Sequence, residues 1–241
     1  MKERGMIFNG EMTRAILDGR KTQTRRVMKV QPESNQLGLL LITDSTKRSD
    51  IGKYHWAESN ATGNHVRSKL FSCPFGAVGD RIWVREAYRF PASLDDVSPT
   101  GVGEMAVATG YRKPWAPTFY EFTGTFSDGW KGFETPPKVS DAGKLRPSIH
   151  MPRWASRILL EITDVRVERL NSIHDVDAMR EGIQNLTTCS HADFGIPGVV
   201  NAQHPVRAFQ LLWESIYGAD SWRANPWVWV IEFKRVEGGA A

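Results

Sequence analysis

The sequence predicts an α+β fold on three observations. Four segments are β-branched and aromatic with partial period-two alternation, three carry helical periodicity closed by glycine, and two long stretches carry little periodicity. A chain of 241 residues can build one domain with a substantial core, or a small core bearing large insertions. The two unpatterned stretches favour the second, so 1–241 reads as a single domain.

Taken in chain order, the residues Glu11 to Asp18 read as a short helix with Met12, Ala15 and Ile16 on one face. Gly19 supplies the left-handed position that ends it. The stretches at about 31–70 and 91–145 are rich in Ser, Gly, Asn, Pro and Thr and read as long insertions. Loops of that length inside a compact domain are candidate lids. Strands are expected at Arg81 to Glu86, Phe119 to Phe122, Ile158 to Val167 and Trp227 to Phe233. A second helix is expected from Ile173 to Glu181, opened by Ser172 and Asp175 as a capping box and closed by Gly182. The third runs from Pro205 to Tyr217, with Phe209, Leu212, Trp213 and Ile216 facing inward and Gly218 ending it.

Composition narrows the function classes. Hydrophobic residues make up 41%, aromatic residues 10% and charged residues 24%, an ordinary balance for a soluble globular protein. No apolar run approaches the roughly 18 residues of a membrane span, and the N-terminus shows no signal peptide, so a cytoplasmic protein without a membrane partner is expected. Cys73 and Cys189 lack CxxC pairing and read as free thiols. The six histidines show no helical metal spacing, so neither metal nor other cofactor is expected. Residues 1–30 hold eight Lys or Arg against three acids, net +5, which leaves the remaining 211 residues at −1 within a total of +4. That local field suits a phosphate-bearing or nucleic-acid partner, or belongs to a solvated basic face.

The basic region contains Gly19-Arg20-Lys21-Thr22-Gln23-Thr24-Arg25-Arg26, which sets an amine, two hydroxyls and a guanidinium cluster directly after a helix stop. In Gly19-x-Lys21-x-x-Thr24-x-Arg26 the chain resembles the ASCH-domain superfamily, whose common signature is G-x-K-x-x-E-x-R. Thr24 departs from that signature as it does in the superfamily's bacterial N4-acetylcytidine amidohydrolases, which carry G-R-K-T-x-T-x-R. Ala178-Met179-Arg180-Glu181 is similar to the place where those enzymes hold a catalytic Glu. Val228 to Lys234 resembles their closing strand, and Val78 to Glu86 resembles the G-D-x-x-x-V strand of larger, often phage-encoded members. The resemblance covers less than half of the chain. It implies a PUA-like mixed β-barrel of about five or six strands with short helices at its ends.

The resemblance also implies a site. Metal-free amide hydrolysis needs a nucleophile, a base and an acid, and Thr24, Lys21 and Glu181 can supply them. A lysine becomes a base only when desolvation or neighbouring cations such as Arg20, Arg25 and Arg26 lower its pKa. At the last turn of its helix Glu181 faces the negative end of the macrodipole, which would raise its pKa toward a general-acid value. Lys21 and Thr24 are three apart, so a shared site requires irregular backbone between them. Substrate binding is expected from Arg20 and Arg26, and base stacking from Trp83 and Trp154. The implied substrate is an N4-acylated cytosine nucleoside. A single-stranded RNA ribonuclease and a non-catalytic reader of RNA or modified bases are the alternatives, and Asp175 and Asp177 read as acids compensating the helix dipole.

Overall fold

Residues 1–60, 63–127, 137–188 and 191–236 are described by the computed structural model. In chain order its elements are β1 (Glu3–Ile7), α1 (Gly10–Leu17), β2 (Gln23–Val27), β3 (Gly38–Leu41), β4 (Tyr54–Asn60), β5 (Gly63–Val66), β6 (Arg81–Arg85), β7 (Tyr88–Arg89), α2 (Pro99–Ala108), β8 (Phe119–Tyr120), β9 (Thr125–Phe126), β10 (Leu159–Arg169), α3 (Asp175–Arg180), β11 (Gln184–Asn185), β12 (Phe194–Ile196), β13 (Val200–Ala202), α4 (Pro205–Tyr217) and β14 (Trp227–Val236). The class is α+β, as the sequence predicts.

One five-stranded sheet, ordered β1-β6-β10-β14-β2, organises the molecule; β1 and β6 run parallel and the other pairs antiparallel. Both faces of β14 are buried, which explains its nearly continuous apolar run. Trp229, Ile231 and Phe233 join a core with Ile16, Ile82 and Leu160, while Val228 and Val230 join a second core with Phe209, Leu212 and Trp213 of α4.

Among the described residues the expected barrel does not form; the sheets are open, with β1 and β2 at the two edges of the largest. Arg26 Nη2 donates to the Ile7 carbonyl at 2.8 Å, so a side-chain bond joins these edge strands where closure would require a backbone ladder.

Among the described residues both insertions form regular elements. The first folds into the antiparallel sheet β3-β4-β5 and buries Trp56 in the main core, 5.3 Å from the Trp227 ring. The second contributes α2, β8 and β9 around a third core of Tyr88, Phe90, Val102, Ala116, Tyr120 and Met151. Here α2 starts with Ser98 accepting from the Gly101 amide at 3.1 Å and with Pro99 in its first turn. Gly101 and Gly103 blur its periodicity. Within that insertion the expected strand Phe119 to Phe122 shortens to two residues, since the chain turns from Glu121 onward.

The helices follow the sequence more closely. Asn9 caps α1 by accepting from the Met12 amide at 2.8 Å, and Gly19 takes φ +74°. The expected capping box at Ser172 is absent because Leu170 to Ser172 form a separate 3-10 turn and Ile173 is extended; α3 begins at Asp175 instead. Helix α4 has the expected ends, but Ile216 is exposed, lying in the last turn beyond the core. Cys73 is a buried free cysteine, and Cys189 lies outside the described residues. No helix among the described residues is long and apolar enough to cross a membrane.

Candidate functional site

After Gly19 the chain is held between three elements before it becomes strand. The Arg20 and Lys21 amides both donate to the Ala15 carbonyl at 2.9 Å, the Thr22 amide donates to the Arg180 carbonyl at 2.9 Å, and the Thr22 carbonyl accepts from the Phe233 amide at 2.9 Å. Regular pairing starts only at Gln23, opposite Glu232, so Lys21 sits on a turn and Thr24 on the edge strand. Irregular backbone therefore lies between the two, as a shared site requires.

That turn delivers Lys21 to the end of α3. Its Nζ lies 2.6 Å from Glu181 Oε2 and donates to the Glu181 carbonyl at 2.8 Å. The Lys21 side chain has no exposed surface, and Glu181 is 3% exposed. Burial pushes the Lys21 amine below its ordinary value; the Glu181 carboxylate opposes this, and the Arg26 and Arg25 charges add to it.

Arg25 reaches the same carboxylate from the other side. Its Nη1 is 3.3 Å from Glu181 Oε1, and its Nη2 lies 3.1 Å from Glu168 Oε2 and 3.0 Å from Asp177 Oδ2. The helix dipole does not act alone at Glu181, because two cationic donors engage both of its oxygens. Nor is Asp177 a simple dipole counter-charge: it holds Arg25, and its other oxygen lies 3.5 Å from Arg166. Arg166 also meets Asp164, Glu168 and Glu232, which extends the buried pair into a network toward solvent.

A cavity of about 230 Å³ opens on this cluster. Thr24, Arg25, Arg26 and Glu181 supply its polar side; Phe209, Leu212, Trp213, Ile216 and Tyr217 of α4 form an apolar wall; Ile7, Asn9 and Met12 complete it. Lys21 is not part of the lining but stands behind Glu181, bonded to it. Thr24, Arg26 and Glu181 are thus brought together around one small space, somewhat below the roughly 300 Å³ at which ligand-pocket volumes begin.

The other expected binding residues lie elsewhere. Arg20 pairs with Asp18 at 2.8 Å, donates to the Gly182 carbonyl at 3.3 Å and does not line the cavity. Trp83 belongs to β6, where the Arg85 guanidinium lies 4.5 Å from its ring centroid. Trp154 stacks on Phe90 at 5.5 Å against the third core. The aromatic residues at the cavity are Phe209, Trp213 and Tyr217, whose four-residue spacing in the last helix was a legible signal. Arg25 was legible only as one more cation in a basic run.

A larger cavity of about 450 Å³ lies beneath the first insertion, lined by Val30, Gln31, Trp56, Ser68, Phe71 and neighbours. Gln31 and Ser68 are bonded to backbone groups there, and the Trp56 indole donates to the Val30 carbonyl at 3.2 Å. Those groups hold the insertion in place. Among the described residues, no three His, Cys, Asp or Glu side chains gather in a group that could hold a metal ion.

Comparison with known proteins found no matching family model, and no significant match to a curated protein or to a solved structure.

Proposed function

We propose that this protein is an amidohydrolase that removes the acyl group from N4-acylated cytosine nucleosides, the chemistry implied by the resemblance of Gly19 to Arg26. The observation that supports it most is the buried Lys21–Glu181 pair at the wall of a cavity that Thr24 also lines. Burying an ion pair carries a large desolvation cost, and its position beside a nucleophile-capable hydroxyl gives it a chemical use.

In this reading Thr24 Oγ1 attacks the acyl carbonyl carbon and its proton passes to the Glu181 carboxylate, which Lys21 and Arg25 hold at the cavity wall. Arg26 supplies positive charge beside the developing oxyanion. Collapse of the tetrahedral intermediate breaks the C–N bond, and Glu181 returns the proton to the departing exocyclic nitrogen. Water then adds to the acyl-threonine, the acid leaves, and the hydroxyl is restored. Glu181 meets the substrate while Lys21 acts from behind it, which revises the sequence expectation of a lysine base acting directly on Thr24.

The test is release of cytidine from N4-acetylcytidine with chelator present. Wild type should turn over, and Thr24→Ala should lose about a thousandfold in kcat, in keeping with removal of a covalent nucleophile. A folded wild-type chain that releases no cytidine overturns the assignment.

A further inference from the structure

We propose that Tyr217 is the platform on which the planar base stacks. The inference rests on the reading above for the identity of the base, but its geometry stands on α4 alone. That helix carries Phe209, Trp213 and Tyr217 at successive four-residue intervals, and all three rings line the cavity that Thr24 and Glu181 share. The Phe209 and Trp213 centroids are 6.0 Å apart, and those of Trp213 and Tyr217 are 4.3 Å apart with the planes tilted by 31°. Exposure changes sharply along this ladder. Phe209 and Trp213 are each 3% exposed and belong to the second core, whereas Tyr217 is 41% exposed while still lining the cavity.

Packing explains the first two rings, whereas the third packs against Trp213 and keeps much of its surface open to water. A large ring fixed against Trp213, ended by Gly218 at φ +94° and open to water at the cavity, offers a stacking surface in a set position. Stacking suits a flat, neutral heterocycle, because every base presents a π-face whatever hydrogen bonds its edge makes. A cytosine ring resting on Tyr217 would occupy the apolar side of the cavity. Its N4 substituent could then extend toward the polar side, where Thr24 and Glu181 stand. This arrangement gives binding to α4 and chemistry to β2 and α3.

The test is calorimetric titration of the full chain with N4-acetylcytidine in a Thr24→Val background, where the ligand persists. Alongside it, wild-type turnover of the same compound is measured. Adding Tyr217→Leu, which keeps apolar bulk without a π-face, should weaken binding by about tenfold, and Tyr217→Phe should recover most of that loss. Thermal melts establish that each variant folds. Equal affinity in the Leu variant overturns the stacking role while leaving the hydrolytic reading intact. Binding that follows this pattern without wild-type turnover supports the platform and overturns the hydrolase. Failure of the Thr24→Val chain to bind overturns the platform.

Discussion

Lys21 and Glu181 show how much a single buried pair constrains the chain. Removing one partner leaves the other charge in the interior, so Lys21→Met should cost about 3–5 kcal/mol in urea denaturation. Adding Glu181→Leu should recover part of that loss if the pair, and not lysine packing, carries the energy. The pH response follows from the lowered Lys21 pKa. Between that value and the ordinary 10.5, the unfolded chain binds this proton more fully than the folded one, so folding stability rises with pH across that window and levels off above it. The difference in unfolding free energy between wild type and Lys21→Met should climb over the same interval; a flat difference would mean that the amine keeps its ordinary value. Lys21 and Glu181 were legible in the sequence through the residues that resemble a known motif. The clamp by Arg25 was not, because its three carboxylate partners come from β10 and from α3 and its C-terminal end, more than 140 residues away along the chain.

At the scale of elements, the site depends on how α3 ends. Gly182 follows Glu181 with φ +110°, and a Cβ there would come 3.3 Å from the Ala15 Cβ and 3.6 Å from the Lys21 Cβ. Gly182→Ala should therefore cost about 1–3 kcal/mol through backbone strain and crowding, read by the same denaturation. It should also lower turnover, because the strain falls on the turn that holds Glu181 against Lys21. The terminating glycines of all three expected helices were readable because a left-handed residue has few substitutes. The start of α3 was not readable: Ser172 and Asp175 have the capping-box spacing, yet Ser172 ends a tight turn from Leu170, and extended backbone at Ile173 and His174 separates it from the helix. Local pattern thus identifies a stop better than a start wherever a preceding turn competes for the same side chain.

For the whole molecule, the insertions changed meaning most between sequence and structure. Their strands are two to seven residues long, too short for periodicity to stand out, and the first insertion packs Trp56 against Trp227 in the central core. Trp56→Ala should cost about 3–5 kcal/mol, as a large core truncation does; an unchanged melting temperature would return this segment to the role of a lid. The mixed α+β content was foreseeable, but the openness of the sheets was not, since closure depends on how edges meet in space. The order of strands also has a consequence for synthesis. β14 follows every other described strand in the chain yet lies between β10 and β2. Until residues 227–236 leave the ribosome, β2 lacks its ladder partner and β10 has one side unpaired, so two strand edges and the apolar surfaces beside them stay open to chaperones or to another nascent chain. The Lys21–Glu181 pair is consequently assembled on a scaffold whose middle arrives last.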